Sequence, residues 1–400
     1  MINNKFTRYQ KYRSFLDLFN KQYWTLSLIE FLFWFAAATS TYLTVFLQKN
    51  GFTPSQVGLI NAINAIVMVC ATPFWGMAAD KLGSIRKVFV FCTFVGLLAW
   101  IIIPASLKII IGPLLLLYLI IPFGSFFRMP ANSLLDSFAV QYAEKNKFAY
   151  GNARLWGSIS FAVMNITLSM VLPYVGIESS FYMYGIASLP LIIIIWRMKD
   201  ADSYSSEEHK KVSLKEMKLG GLFKNYYYVT YLVFAIIMLM PTNTSMVFLP
   251  YLVDNVGGDT VQLGLVSGYR ALLEIPMLLL MKPLRKRYSL PVAIVLGCVF
   301  YCIENLLFSR ANSFKEILFI MTFQGLGDGL IIGAATNYVY QMAPDNLRST
   351  AQAINGTIGA IAAIIGSLVG GSVIMKTGVR NFYLISFVMI LSAVVYFITT

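Results

Sequence analysis

The 400-residue sequence predicts an all-α membrane protein with twelve spanning helices, arranged as two pseudo-symmetric six-helix bundles. Three observations predict this class. Hydrophobic residues make up 58% of the chain and charged residues 12%, against about 25% charged residues in a soluble domain. Apolar runs of helical length recur along the chain. Basic residues concentrate on every second connection between those runs. Lipid is therefore the predicted solvent for most of the chain.

Each predicted span is a mostly apolar run long enough to cross a bilayer, which takes about 20 helical residues. These runs are far too long for barrel strands, and only helices or closed barrels satisfy their backbone polar groups in hydrocarbon. The predicted spans are residues 23–47, 55–78, 88–107, 111–139, 152–173, 179–197, 225–250, 260–281, 290–308, 314–340, 350–374 and 379–399.

The basic residues predict how the chain is oriented. With both termini inside, 22 of the 31 Lys and Arg residues fall on inner segments and six on outer connections. This is the positive-inside asymmetry of membrane proteins. The net charge of +13 is therefore explained by topology, and we expect no nucleic-acid partner. The composition suits a protein of the bacterial cytoplasmic membrane. The charge asymmetry predicts that both termini lie in the cytoplasm.

A polar stretch at residues 199–224 divides the chain near its middle, so we predict bundles at 1–198 and 225–400 joined by a cytoplasmic linker. A short repeat supports related halves. Gln56-Val57-Gly58-Leu59 opens the second predicted span and Gln262-Leu263-Gly264-Leu265 opens the eighth.

The loop between the second and third spans carries glycines and charges at fixed spacing. Its motif residues are Gly76, Asp80, Lys81, Gly83, Arg86 and Lys87. The spacing resembles the corresponding loop of major facilitator superfamily transporters. That resemblance implies a substrate site between two bundles and transport by alternating access. We expect the motif to act as a cytoplasmic gate; the alternative is a basic loop that only anchors topology.

Eight charged residues fall within the predicted spans or at their ends. They are Glu30, Arg128, Asp136, Arg154, Arg270, Glu274, Glu304 and Asp328. Charges inside a membrane are costly and usually face a cavity or each other. Because five acids outnumber three bases, not every acid can have its own base. An unpaired acid in a low dielectric is suited to carry a proton, which favours proton coupling.

The segment from Asp136 to Phe161 resembles the oligosaccharide:proton symporter branch that includes lactose permease. In that branch an acid and an arginine at this separation bind sugar hydroxyls. The resemblance implies that Asp136 and Arg154 bind substrate and that Phe161 is the stacking aromatic. Asp136 is also a candidate for proton coupling. Asn132 lies one helical turn before Asp136 on the same face, which makes it a further candidate for substrate binding. The alternative is a structural ion pair between the fourth and fifth spans.

In the second half, Arg270 and Glu274 are four residues apart and close enough to pair. The resemblance implies a functional acid on this span, which makes Glu274 a candidate for substrate binding and proton coupling. Arg270 is a further candidate for substrate binding, since with Arg154 it could hold a carboxylate. A self-neutralising pair is the alternative. Asp328 is a candidate proton site on the tenth span. We expect Glu304 to be a packing or loop-proximal acid, and the aromatic neighbours of Glu30 to serve packing or to face lipid. Trp34 lies one turn from Glu30, so the alternative is that this face lines the cavity.

The leading hypothesis is a monomeric, proton-coupled symporter that imports a sugar or oligosaccharide. Its expected partners are the solute, protons and membrane lipid. It uses the proton gradient and no cofactor or metal. Import of aromatic acids or nucleosides is one alternative. Multidrug efflux is another, although the predicted fifth span lacks the Gly-Pro-x-x-Gly-Gly motif that such exporters usually carry. We expect no enzyme activity, because the loops hold no histidine cluster, Asp-rich metal motif or activated nucleophile.

Overall fold

The computed structural model describes residues 20–111, 114–148, 150–198, 220–344 and 347–400. Its long elements are all helices. In chain order they are α1 (Lys21–Ala38), α2 (Leu43–Lys49), α3 (Pro54–Leu82), α4 (Ile85–Ser106), α5 (Leu117–Arg128), α6 (Ala131–Lys145), α7 (Tyr150–Val175), α8 (Ser179–Arg197), α9 (Gly220–Phe223), α10 (Tyr226–Asn255), α11 (Thr260–Arg287), α12 (Leu290–Phe308), α13 (Phe314–Met342), α14 (Arg348–Thr377) and α15 (Val379–Thr399). Strands β1 (Ile110–Ile111) and β2 (Leu114–Leu115) pair antiparallel.

Ten helical stretches in the described part of the chain are long and apolar enough to cross a membrane, with α1 and α2 counted together. The other two predicted spans correspond to α5 with α6 and to α11. The all-α membrane fold predicted from the sequence is therefore confirmed. A 3-10 turn at Thr39–Tyr42 separates α1 from α2, so the first span is not one regular helix.

The prediction of a single helix over residues 111–139 is wrong. The strand pair occupies the start of that range, and the helix is broken between Arg128 and Ala131. Pro130 accounts for the break, because proline has no backbone N–H to donate to the carbonyl four residues earlier. Pro130 instead stands at the N-cap of α6, the helix that carries Asp136.

The chain forms two compact units. The first takes in residues up to Ser40, Val67–Leu168 and Tyr174–Ser206. In it α4 packs against α5, α6 and α8, and α8 also packs against α1. Aromatic side chains such as Phe89 and Phe138 fill the core between these helices. The guanidinium of Arg128 lies 4.0 Å from the ring centroid of buried Trp100, an arrangement that stabilises a cation within the unit.

The second unit comprises Thr41–Ile66, Ser169–Pro173 and Glu207–Thr400. In it α13 packs against α11 and α12, and α10 packs against α14 and α15. The start of α3 lies so close to α14 that a Cβ at Gly58 would strike the carbonyl of Ser367, and one at Gly371 would strike that of Pro54. The predicted linker at 199–224 lies mostly outside the described residues, so the bundle bounds 1–198 and 225–400 stay predictions.

Candidate functional site

In the first unit, Arg154 lies against two side chains of α1. Its guanidinium carbon is 4.1 Å from the ring centroid of Trp34, and its Nε is 3.9 Å from Oε2 of Glu30. Glu30 and Trp34 are four residues apart on α1 and therefore share one face. Arg154 lies in the first turns of α7, so two helices more than a hundred residues apart in sequence form this cluster. We call it the Arg154 cluster.

A glycine makes the close approach of α1 to α7 possible. Gly157 is buried on α7, one turn after Arg154. A Cβ at this position would lie 2.5 Å from Cδ1 of Trp34 and 2.7 Å from Nη1 of Arg154. Both distances are shorter than van der Waals contact. The missing side chain at Gly157 therefore leaves room for the Trp34 indole and the Arg154 guanidinium to lie against each other beside α7.

We expect Gly157→Ala to lower the free energy of unfolding by about 1–3 kcal/mol, the usual cost of overpacking, and to weaken solute binding. Thermal unfolding in detergent and calorimetric titration with solute measure the two effects. Gly151→Ala is the matched control, because a Cβ there meets nothing within 4 Å and alanine favours the helix by about 0.5–1 kcal/mol. Equal stability and binding in both variants would contradict the proposed role of Gly157.

The polar atoms of the Arg154 cluster are held by an ion pair and by few hydrogen bonds. The Glu30 side chain is 0% exposed and that of Arg154 is 32% exposed. Among the described residues, neither carboxylate oxygen of Glu30 nor the indole N–H of Trp34 has a hydrogen-bond partner. Buried polar groups in proteins are nearly always hydrogen-bonded. The cluster therefore offers two acceptors, a donor and an aromatic face to a molecule that enters beside Arg154.

The ion pair of Arg154 differs from the one predicted. Among the described residues its carboxylate neighbour within 4 Å is Glu30 rather than Asp136. Asp136 instead accepts a hydrogen bond of 2.7 Å at Oδ1 from the hydroxyl of Tyr150, at the start of α7. The Asp136 charge nevertheless acts on Glu30 electrostatically. The cluster thus combines one cation with two acids, which matches the excess of acids noted in the sequence.

Phe161 and Asn132 are the other two residues predicted for this region. Phe161 packs edge-on against Trp34 with ring centroids 6.4 Å apart, so the ring nearest Arg154 is Trp34. Asn132 is exposed on α6, one turn before Asp136. Trp34 therefore packs within the Arg154 cluster, as one of the two expectations for it states. Its spacing of four from Glu30 also indicated a face that could line a cavity, and that role stays a prediction.

A second charged cluster lies in the second unit. Nη2 of Arg270 is 2.8 Å from Oδ2 of Asp328, and Nε of the same arginine donates to that oxygen at 2.9 Å. The Tyr301 hydroxyl donates to Oδ1 of Asp328 at 2.6 Å. Helices α11, α12 and α13 each supply one residue, and Gly327 leaves room for the Tyr301 ring. Charge-assisted hydrogen bonds of this kind stabilise the ionised carboxylate.

Sequence analysis did not identify Tyr301, and it predicted that Arg270 pairs with Glu274. Arg270 forms its described ion pair with Asp328. The side chain of Glu274 lies outside the described residues, so its predicted roles in substrate binding and proton coupling stay predictions.

The loop motif forms a tight turn. Gly83 has a φ of +60°, a conformation that glycine adopts without strain. The Ser84 side chain caps α4, because its hydroxyl oxygen accepts a hydrogen bond from the backbone N–H of Lys87. Arg86 donates to the carbonyl of Trp196 at 2.6 Å, near the end of α8, where the helix dipole favours a cation. The gating role predicted for all six motif residues, Gly76, Asp80, Lys81, Gly83, Arg86 and Lys87, stays a prediction.

Long apolar helices with charged residues clustered inside each unit define a polytopic membrane transporter. Residues 23–385 match the MFS_1 like family, and the chain belongs to that family of major facilitator transporters.

Three curated relatives share low identity with the chain. It is 24% identical over 364 residues to maltose permease of Geobacillus stearothermophilus, covering 89% of each protein. It is 24% identical over 329 residues to the uncharacterized transporter YwbF of Bacillus subtilis (strain 168), covering 80% of this chain and 77% of YwbF. It is 25% identical over 163 residues to sucrose permease of Escherichia coli, covering 38% of this chain and 37% of the permease.

Two solved structures share the fold. The nucleoside transporter NupG superposes with a TM-score of 0.76 at 17% identity, covering 95% of this chain and 98% of NupG. A D-xylose-proton symporter superposes with a TM-score of 0.71 at 13% identity, covering 94% of this chain and 96% of the symporter. At these identities the likeness concerns the fold.

Proposed function

We propose that the protein is a proton-coupled symporter that imports a small polar solute, a sugar or oligosaccharide, by alternating access. The Arg154 cluster carries this proposal. A sugar has apolar C–H faces that stack on an aromatic ring and hydroxyl groups that both donate and accept hydrogen bonds. Glu30 would accept from hydroxyls, Arg154 and the indole N–H of Trp34 would donate, and the Trp34 face would pack against the ring. The names of the maltose and sucrose permeases support a sugar.

Proton coupling is assigned to the cluster of Arg270, Tyr301 and Asp328. Protonation of Asp328 would remove the charge that holds Arg270, so the proton and the guanidinium compete for one carboxylate. A change in protonation can therefore bias the two states of a transporter. The proton gradient is the driving force, and the proposal requires no cofactor, metal or covalent chemistry.

A nucleoside or an aromatic acid is the second candidate solute. The Trp34 ring would stack equally well on a base or a phenyl group, and Arg154 would pair with a carboxylate. The likeness of the fold to a nucleoside transporter also supports this candidate. No contact in the Arg154 cluster favours a large apolar drug, which makes multidrug efflux the weaker alternative.

We further propose that the protein acts as a monomer in the bacterial cytoplasmic membrane, in contact with lipid and with both termini in the cytoplasm. The inner excess of basic residues supports this orientation. It binds the solute and protons and no nucleic acid.

The test is a transport assay in proteoliposomes that contain the purified protein and no imposed gradient. Maltose, sucrose, uridine and an aromatic acid are added separately while an external dye reports pH. We expect sugar to make the outside alkaline, because a symporter takes up a proton with each solute it imports, and a protonophore to abolish the signal. A response to uridine or the aromatic acid alone would select the second candidate. Drug-evoked proton exchange without any of these responses would overturn the proposal in favour of efflux.

A further inference from the structure

Glu304 is a buried acid to which the proposed function assigns no role. It lies on α12, four residues before that helix ends at Phe308, and is 1% exposed. Within the described part of the chain, its Oε1 has no hydrogen-bond partner. A carboxylate buried without a donor is strongly disfavoured relative to the neutral acid. The site therefore suits a carboxyl group that holds a proton.

The groups around Glu304 explain why it receives no hydrogen bond. Tyr301, one turn earlier on the same helix, already donates to Asp328. Tyr383 of α15 donates to the carbonyl of Ser245 at 2.9 Å. The charged groups that act on Glu304 are Asp328 of α13 and Arg270 of α11, and those two form an ion pair with each other.

Glu304 and Asp328 thus share one described cation. Arg270 can balance one negative charge, and in this structure it forms its ion pair with Asp328. A second ionised acid would repel Asp328 and would have no donor of its own.

We infer that Glu304 is a proton-carrying residue of the transport cycle, which holds the proton while Asp328 is ionised and passes it to Asp328 when Arg270 is released. The inference rests on the proposed proton coupling. In the transfer, the Glu304 carboxyl group loses the proton and Asp328 gains it. The negative charge moves from Asp328 to Glu304, and Arg270, once released from Asp328, becomes the cation that balances Glu304. Tyr301 lies three residues before Glu304 on α12, about one helical turn away, and its hydroxyl donates to Asp328.

The position of Glu304 fits a donor that is reloaded from outside. Under the proposed topology, the nearby end of α12 faces outward. A proton that arrives from that side meets Glu304 before it meets Asp328. Glu304 would then be protonated again after each transfer.

The experiment compares the wild type with Glu304→Gln, Glu304→Asp and the exposed control Glu178→Gln in proteoliposomes, with maltose as the probe. Glutamine matches a protonated glutamate in shape, so a packing role would survive the change. We expect Glu304→Gln to lose the pH dependence of maltose-coupled proton uptake while exchange at equal maltose concentrations persists. Aspartate keeps a titratable group and should retain a shifted pH dependence, and Glu178→Gln should match the wild type.

Infrared difference spectroscopy across a pH titration supplies an independent readout. We expect a protonated-carboxyl band in the wild type that Glu304→Gln lacks and Glu178→Gln retains. Unchanged pH dependence and an unchanged band in Glu304→Gln, with the wild type coupling protons to maltose, would overturn the inference alone. If the wild type takes up no protons with maltose or any other solute tested, the proposed function fails and this inference with it.

Discussion

Replacing Arg154 by lysine is expected to reduce solute affinity about tenfold, at about 1.4 kcal/mol for each factor of ten. Lysine keeps the charge but loses the planar fork of donors, and one hydrogen bond from a charged donor to the solute is worth about 1.5–3 kcal/mol. The contact with Trp34 is present without solute, so its weakening would lower stability rather than affinity. Isothermal titration with the transported solute measures the loss.

Two controls separate binding from folding in this experiment. Arg310→Lys makes the same chemical change at an exposed position on a turn and should leave affinity unchanged. The double variant Glu30→Gln with Arg154→Gln removes both charges, so no buried acid is left without its cation. It should unfold near the wild-type temperature and still fail to bind. Wild-type affinity in Arg154→Lys would show that the Arg154 cluster is only a structural contact.

The membrane architecture could be predicted from the sequence because hydrocarbon imposes a simple rule. Every span must be a helix of sufficient apolar length, and that length is visible in the chain itself. Local exceptions were harder to predict. The break at Pro130 is one such exception, because the apolar run around this proline otherwise resembled a single helix.

The candidate site was only partly predictable for a different reason. Arg154 and Asp136 were identified through a resemblance, but the acid that lies beside Arg154 is Glu30, from a helix 124 positions earlier. No local spacing encodes such a contact. Gly157 illustrates the same limit, because its role depends on the Trp34 ring that faces it. Asp328 was predicted as a proton site, whereas its donor Tyr301 required the packing of α12 against α13.

Asp328→Asn is expected to abolish proton-driven accumulation of solute while leaving exchange of solute between equal concentrations. Asparagine resembles a protonated aspartate in size but binds and releases no proton. Its amide oxygen still accepts from Tyr301, whereas Arg270 loses a charge-assisted contact of 2.8 Å. Because the Arg270 side chain is 32% exposed, water can solvate the released guanidinium, and we expect the variant to fold. Uptake of labelled maltose under an imposed pH gradient, compared with exchange without a gradient, separates the two activities.

Asp328→Glu is the matched variant for this experiment, since it keeps a titratable carboxyl group on the same helix. We expect it to retain accumulation at a reduced rate, because the longer side chain alters the contacts with Arg270 and Tyr301. If Asp328→Asn accumulated solute as the wild type does, another acid would have to carry the proton. Glu304 would then be a candidate, because among the described residues it is a buried acid on which Arg270 acts. A double variant of Asp328→Asn with Glu304→Gln would have to lose accumulation under that explanation, since neither neutral side chain can hold a transferable proton.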